Sequence, residues 1–145
     1  MRSHPYLRAY MAGVVVPTIF LLVVMLPAYV YFRFYLEVSS QFVIGLPGRP
    51  LERAIVFPMV VVPNVWGAWN MLYLATRART RLSLGLHGAI LPLLLMPAGI
   101  ALAAAFDVFT IQMAFALPMA PIGMAIYYLA WKHLVGLLNA EVGIA

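Results

Sequence analysis

Long runs of apolar residues dominate the chain, and they predict four helices that cross a membrane. A helix needs about 20 mostly apolar residues to cross the hydrocarbon core of a bilayer. Four stretches reach this length without a charge near their centres, and we place the predicted transmembrane helices at about 9–35, 54–76, 84–106 and 110–138. The expected fold is an all-α integral membrane protein, a four-transmembrane-helix bundle in a single membrane domain, 1–145.

Three connections should join these helices. The first, about 36–53, contains Ser39-Ser40 and the turn-forming sequence GLPGRP at 45–50. The second is the basic run RARTR at 77–81, and the third is short and centred on Asp107. The short third connection predicts that the last two helices form a tight antiparallel hairpin.

Composition agrees with a membrane location. Of the 145 residues, 66% are hydrophobic and only 9% are charged, whereas soluble domains carry about 25% charged residues. A globule of this size buries only about 70% of the surface of its unfolded chain, so it cannot hide this much apolar surface. The lipid bilayer is therefore the first expected partner, and nucleic acid is not expected, because the net charge of +5 resides in residues that flank apolar runs.

The distribution of basic residues predicts the orientation. Lys and Arg are enriched in cytoplasmic segments near helix ends. If the N-terminus is inside, the cytoplasmic side holds Arg2, Arg8, Arg77, Arg79, Arg81 and Lys132, and the opposite side holds Arg33, Arg49 and Arg53. We expect a multi-pass protein of a bacterial inner membrane with both termini in the cytoplasm, and a first apolar run that is kept as a helix rather than cleaved as a signal peptide.

Prolines are unusually frequent inside the predicted helices. Each helix contains two, and an interior proline removes a backbone hydrogen bond and clashes with the preceding turn. We therefore predict helices kinked at interior prolines, with sharp bends or non-α segments within one turn before a proline in at least two helices. Static kinks and moving hinges both remain open; the hinge candidates are Pro58, Pro63, Pro92, Pro97, Pro118 and Pro121, and the first helix adds Pro17 and Pro27.

Small residues recur at spacings that permit close helix packing. Small side chains four residues apart allow two helix backbones to approach each other in a membrane. Three such groups are Ala9, Gly13 and Pro17; Gly99 and Ala103; and Ala116 and Ala120. They favour a compact bundle, and they fit contacts within the chain as well as contacts with a partner.

The second predicted helix carries the most distinctive group of side chains. A spacing of i, i+3, i+4 and i+7 places four residues on one helical face: Trp66, Trp69, Asn70 and Tyr73. Asn64 lies on a neighbouring face near the bilayer midplane, and we expect its partners on the third or fourth helix. An unsatisfied amide in hydrocarbon is costly, so both amides should face protein rather than lipid. Each should be hydrogen-bonded to another helix, a carbonyl freed by a proline, water or a ligand, either as an interhelical contact or beside a bound ligand.

Catalytic chemistry is not visible in the sequence. The chain has no cysteine, and its three histidines, His4, His87 and His133, are isolated from one another. No ionisable residue occupies a helix centre, where such residues usually mark a transport pathway. We therefore assign no catalytic residue, no metal ligand and no cofactor.

Two functional hypotheses remain. The first is a non-catalytic membrane protein that acts through helix packing, either as an accessory subunit of a membrane complex or as a self-assembling homo-oligomer. The second is a carrier or channel for a small neutral, aromatic or lipid-like solute, which the paired prolines and the Asn/Trp face would serve. A membrane-embedded enzyme ranks third, since no acid–base or nucleophile pair is visible.

Overall fold

The described part of the chain folds into four long helical segments. A computed structural model describes residues 4–34, 42–43, 46–105 and 113–144. In chain order the elements are α1 (Pro5–Phe34), β1 (Phe42–Val43), β2 (Leu46–Pro47), α2 (Gly48–Thr80), α3 (Leu84–Ala105), α4 (Met113–Leu129), a π-helix (Ala130–Val135) and α5 (Gly136–Glu141). The last three elements follow one another without a break, so the prediction of four helices is confirmed.

The described part of the first connection is a minimal antiparallel hairpin. Phe42 pairs with Pro47 and Val43 pairs with Leu46. The helix α2 begins directly afterwards at Gly48, so the predicted connection was too long at its C-terminal end. Ser39-Ser40 and the predicted turn at Asp107 lie outside the described residues.

The basic run after the second helix is more helical than predicted. The helix α2 continues to Thr80, so that Arg77 and Arg79 lie in its last turn. Arg is a good helix former, and a helix can continue past the apolar segment into water. Arg81 then adopts a positive φ of 53°, and this left-handed residue ends the helix.

The prolines do not interrupt the described helices. The α-helical pattern continues through every hinge candidate, including Pro63 in α2 and Pro92 in α3. The predicted non-α segments before prolines are therefore wrong for the described residues, whereas bends at these positions stay a prediction. The one non-α stretch within the described helical segments is the π-helix Ala130–Val135, which contains no proline.

Two helical stretches among the described residues are long and apolar enough to cross a membrane. They are Pro5–Val24 in α1 and Leu84–Ala101 in α3. The share that is buried inside the protein is only 28% for the first stretch and 33% for the second. This finding supports a membrane protein. The four-span arrangement and its orientation stay predictions.

The helices pack as two antiparallel pairs, α1 with α2 and α3 with the segment from α4 to the π-helix. In the first pair, Gly13 meets the backbone of α2: a Cβ added to it would lie 2.6 Å from the carbonyl oxygen of Trp66 and 2.9 Å from the Cα of Gly67. In the second, a Cβ on Gly88 would lie 2.1 Å from the Cγ of Trp131. Glycine therefore permits both close approaches.

The predicted groups of small residues differ in whether they lie at a close contact between helices. Ala9, Gly13 and Pro17 are all buried, and Gly13 lies at the crossing with α2. No described atom would lie within 4 Å of a Cβ on Gly99, so this residue marks no close helix contact in the described part of the chain. The side chains of Ala103 and Ala116 lie outside the described residues.

Candidate functional site

A reciprocal pair of buried amides joins α1, α2 and α5. Asn70 is fully buried, and its Nδ2 donates to the carbonyl oxygen of Ala9 at 2.7 Å and to Oδ1 of Asn139 at 2.8 Å. Asn139, also buried, returns a hydrogen bond from its Nδ2 to Oδ1 of Asn70 at 3.2 Å. Since a carbonyl can only accept, Ala9 fixes the orientation of the Asn70 amide and therefore that of Asn139.

The π-helix explains how Asn139 reaches this position. Trp131, Val135 and Asn139 are all buried, although residues four apart drift by about 40° per step around an α-helix of 3.6 residues per turn. The backbone N–H of Gly136 donates to the carbonyl of Trp131, five residues earlier. This bonding places an extra residue in the turn, which offsets the drift and keeps the three side chains on one face.

A second pair of contacts joins α2 to α3. The Nε1 of Trp69 donates to the carbonyl of His87 at 2.9 Å, and Nε2 of His87 lies 3.2 Å from the carbonyl of Trp69. The carbonyl accepts, so Nε2 carries the hydrogen in this contact. The two rings are stacked with centroids 4.9 Å apart, and the ring of Tyr73 lies 5.3 Å from that of His87.

Aromatic rings fill the space between α2, α3 and the fourth helical segment. The ring of Trp66 lies 4.9 Å from that of Tyr127 and 5.3 Å from that of Trp131. The Nε1 of Trp66 donates a long hydrogen bond of 3.4 Å to the hydroxyl of Tyr127. Trp131 is fully buried, and its Nε1 has no hydrogen-bond partner among the described residues. An unpaired buried N–H is uncommon.

Two arginines hold the C-terminal turn after α5. Gly143 has a φ of 71°, and the backbone N–H of Ile144 donates to the carbonyl of Asn139 at 2.9 Å, as in a Schellman motif. Arg8 donates to the carbonyl of Val142 at 3.1 Å, and Arg77 donates to the carbonyl of Ile144 at 2.8 Å. Cationic donors are favourable at a helix C-terminus, where carbonyls lack partners.

These contacts lie at one end of the bundle, where α1 and α3 begin and α2 and α5 end. We call it the polar end, and its residues are Arg8, Asn70, Arg77, His87 and Asn139. Every helical segment contributes to it.

The other predicted amide lies elsewhere. Asn64 is exposed, accepts a hydrogen bond from the hydroxyl of Tyr10 in α1 and donates to the carbonyl of Val60 at 2.6 Å. The expected hydrogen bond to another helix is present, but the expectations that Asn64 faces protein and that its partner lies on the third or fourth helix are wrong. The partner of Asn64 is Tyr10 in α1. Gly67 allows the Tyr10 ring to approach α2, because a Cβ on Gly67 would lie 2.6 Å from that ring.

The structure brings together four of the five predicted site residues. Each of these four residues makes contacts with other helices at or beside the polar end; the four are Trp66, Trp69, Asn70 and Tyr73. Sequence analysis missed their partners, which are His87, Tyr127, Trp131 and Asn139. No signal in the sequence identifies Asn139, because its four-residue spacing from Val135 and Trp131 keeps the three side chains on one face only when a π-helix intervenes.

The site is suited to hydrogen bonding and packing. Its functional groups are amides, indoles, phenols, guanidinium groups, an imidazole and backbone carbonyls, and most of them bond to one another. Among residues 4–34, 46–105 and 113–144, no group of three His, Asp or Glu side chains is placed to hold a metal ion. No known protein family, characterised protein or solved structure matches the chain.

Proposed function

We propose that this chain is a four-span membrane protein that works non-catalytically through helix packing, as an accessory subunit of a membrane complex or as a self-assembling oligomer. The observation that carries the proposal is the buried amide pair of Asn70 and Asn139. It uses its hydrogen-bonding groups to hold helices together, as polar side chains do between membrane helices. Such a site stabilises a scaffold rather than performing a reaction.

The outer surface supports this proposal. Large apolar side chains are more than half exposed on α1, α3 and α4, among them Phe20, Val23, Leu94, Leu117 and Ile126. Soluble proteins rarely expose apolar surface on this scale. Lipid chains and the helices of another subunit are the partners that suit it.

The sequence supports four spans rather than two. Besides the two candidate spans in α1 and α3, the apolar stretches 54–76 and 110–138 are long enough to cross a bilayer. An even number of spans places both termini on the same side. The excess of arginine around Arg77 to Arg81 assigns that side to the cytoplasm.

Single cysteines test this topology, since the natural chain has none. Thr80→Cys lies at the end of α2, and Ser40→Cys lies in the first connection. An impermeant thiol reagent added to intact cells should label Ser40→Cys but not Thr80→Cys. Labelling of Thr80→Cys alone would reverse the orientation, and equal labelling of both would contradict four spans.

Extraction into lipid nanodiscs tests the packing function. The tagged chain should be recovered either with a stoichiometric partner subunit or as a homo-oligomer, as measured by native mass spectrometry. Recovery as a monomer under all gentle extraction conditions would contradict the proposal. The two successful outcomes distinguish an accessory subunit from a self-assembling oligomer.

One observation favours the second candidate, a carrier or channel for a small neutral, aromatic or lipid-like solute. The buried Nε1 of Trp131 lacks a partner among the described residues and lies in a π-helix, a feature frequent at functional sites. A solute with a hydrogen-bond acceptor could use this donor. Mass spectrometry of small molecules released from the purified protein tests this: a stoichiometric solute lost in Trp131→Phe favours transport, and the absence of any solute opposes it.

A further inference from the structure

Positive charge is concentrated at the polar end. Here α2 ends with Arg77 and Arg79, Arg81 follows, and the π-helix contributes Lys132. The acidic residues of the chain are Glu37, Glu52, Asp107 and Glu141. Among the acidic residues that the structure describes, Glu141 alone belongs to a helix end on this side. The polar end is therefore strongly cationic and adjoins apolar helix surface.

The basic side chains at this end fall into two groups. Arg8 and Arg77 donate to the carbonyls of Val142 and Ile144, so they contribute to the fold. Arg79, Arg81 and Lys132 are exposed like Arg8 and Arg77, but their side chains make no hydrogen bond to the described part of the chain. The second group is available to a partner outside the chain.

Lys132 is held close to the turn that carries Arg81. A Cβ on Gly85, in the first turn of α3, would lie 3.2 Å from the Cβ of Lys132 and 2.8 Å from the ring of Tyr128. The Nζ of Lys132 lies 5.7 Å from the centre of the Tyr128 ring, a distance that allows a cation–π contact. Arg81 precedes Gly85 by only four residues, so the two cations belong to the same corner of the bundle.

The same corner offers apolar surface. Leu86 is 50% exposed beside Gly85, and Leu129 is 55% exposed beside Tyr128. Cations next to exposed apolar side chains match a molecule with an anionic head and acyl chains. A soluble anion would use only the cations.

We propose that Arg79, Arg81 and Lys132 bind the headgroup of an anionic phospholipid, whose acyl chains lie against the exposed side chains of α3 and α4. The inference rests on the four-span membrane protein proposed above. Basic residues near an anionic membrane surface each contribute about fivefold in affinity, and burial of acyl chains against apolar side chains adds to it. The lipid would thereby anchor the loop between α2 and α3 at the membrane surface.

Native mass spectrometry of the detergent-purified chain tests the inference without dependence on membrane orientation. Phosphatidylglycerol and phosphatidylcholine with the same acyl chains are titrated separately into the wild type. We expect phosphatidylglycerol to bind at least about tenfold more tightly. Equal affinity for the two lipids overturns the inference.

Variants then locate the site. Arg79→Gln/Arg81→Gln/Lys132→Gln should lose about tenfold or more of the preference for phosphatidylglycerol, whereas Arg33→Gln/Arg49→Gln/Arg53→Gln removes the same charge elsewhere and should retain it. Arg79→Lys/Arg81→Lys keeps the charge and should also retain the preference for phosphatidylglycerol over phosphatidylcholine. This variant still tests the inference if the triple glutamine variant fails to fold. Equal losses in the two triple variants, or loss in the lysine variant, overturn the inference.

Two further measurements separate the alternatives. Soluble glycerol phosphate should bind far more weakly than phosphatidylglycerol; equal binding would identify a free-anion site and overturn the lipid inference. The same spectra report oligomers and retained subunits. If the wild type shows no lipid preference although its assembly is intact, only the lipid site is rejected, whereas a wild-type monomer that keeps the preference rejects only the packing function.

Discussion

The polar end and the opposite half of the bundle use different means to stay together. At the polar end, side-chain hydrogen bonds connect α1, α2, α3 and α5 around buried aromatic rings. In the far half, which comprises residues 19–31 of α1, 93–101 of α3 and 117–126 of α4, most described side chains are exposed or half-buried, and Leu21 is an exception. The contrast indicates that the polar end maintains its own geometry, whereas the far half depends on what surrounds it.

The proposed membrane location accounts for the difference. Lipid chains are as apolar as leucine side chains, so burial of leucine between membrane helices brings little gain. Close backbone contacts and polar contacts are what favour association there. Both kinds of contact are found at the polar end, at Gly88 and at Asn70.

The largest expected effect comes from closing the glycine contact. Gly88→Ala would place a methyl group 2.1 Å from the Cγ of Trp131, an atom near the backbone that cannot move aside easily. We expect a loss of about 3 kcal/mol in the free energy of unfolding, at the upper end for overpacked sites. Thermal unfolding in detergent measures this loss.

Gly99→Ala is the matched control in the far half of the same helix, where a Cβ meets no described atom within 4 Å. It should be neutral or slightly stabilising, because alanine favours a helix more than glycine does. Equal destabilisation by the two substitutions would break the comparison.

Removal of the central amide should have the next largest effect. Asn70→Leu deletes the hydrogen bonds to Ala9 and Asn139 and leaves the Asn139 amide buried without its partner, at a cost of about 2 kcal/mol. Asn64→Leu affects an exposed amide and should cost less than half as much. If Asn70→Leu instead abolished the binding of a solute that co-purifies with the wild type, and thermal stability were unchanged, Asn70 would belong to a ligand site rather than to the scaffold.

Loss of an arginine at the C-terminal turn should have a smaller effect. Arg77→Met removes the donor to the carbonyl of Ile144, and we expect a loss of about 1 kcal/mol in the free energy of unfolding. Arg79→Met, on the same helical turn, removes an exposed cation and should leave stability within about 0.5 kcal/mol of the wild type. Limited proteolysis would detect whether the C-terminal turn opens in the first variant only.

The smallest effect is expected at Trp131, despite its complete burial. Trp131→Phe leaves a small cavity, which lowers the free energy of unfolding. It also removes a buried N–H that has no partner among the described residues, which raises the free energy of unfolding. Because the two effects oppose each other, the net change should stay within about 1 kcal/mol. Trp69→Phe loses both ring volume and the hydrogen bond to His87. Although Trp69 is less buried, its substitution should lower the melting temperature more; the reverse order would indicate a hidden partner for Trp131.

Part of this organisation could be predicted from the sequence. Apolar runs predicted the four helices, and helical spacing predicted that Trp66, Trp69 and Asn70 share a face. Asn139 could not be identified in this way, because a polar residue near the end of the last helix is expected to face water. Its partner lies 69 residues away in the chain, and helical periodicity carries no information about such pairing.

Two other features show where local rules failed. Prolines predicted interruptions of the helices, but the non-α stretch within the described helical segments is Ala130–Val135, which contains Trp131, packed against Gly88, and no proline. Likewise, Gly99 was selected for close packing by its four-residue spacing, whereas Gly88 was overlooked. A close contact depends on what faces the glycine, and the sequence of a single helix does not specify this.

The coupling between Asn70 and Asn139 tests the central claim most directly, namely that a reciprocal amide pair holds the polar end together. Thermal unfolding would be measured for Asn70→Leu, Asn139→Leu and the double variant in the same detergent. Each single substitution leaves one amide buried without its partner, whereas the double substitution removes both, so the double variant should be less destabilised than the sum of the singles by at least about 1 kcal/mol. Additive losses would contradict the account.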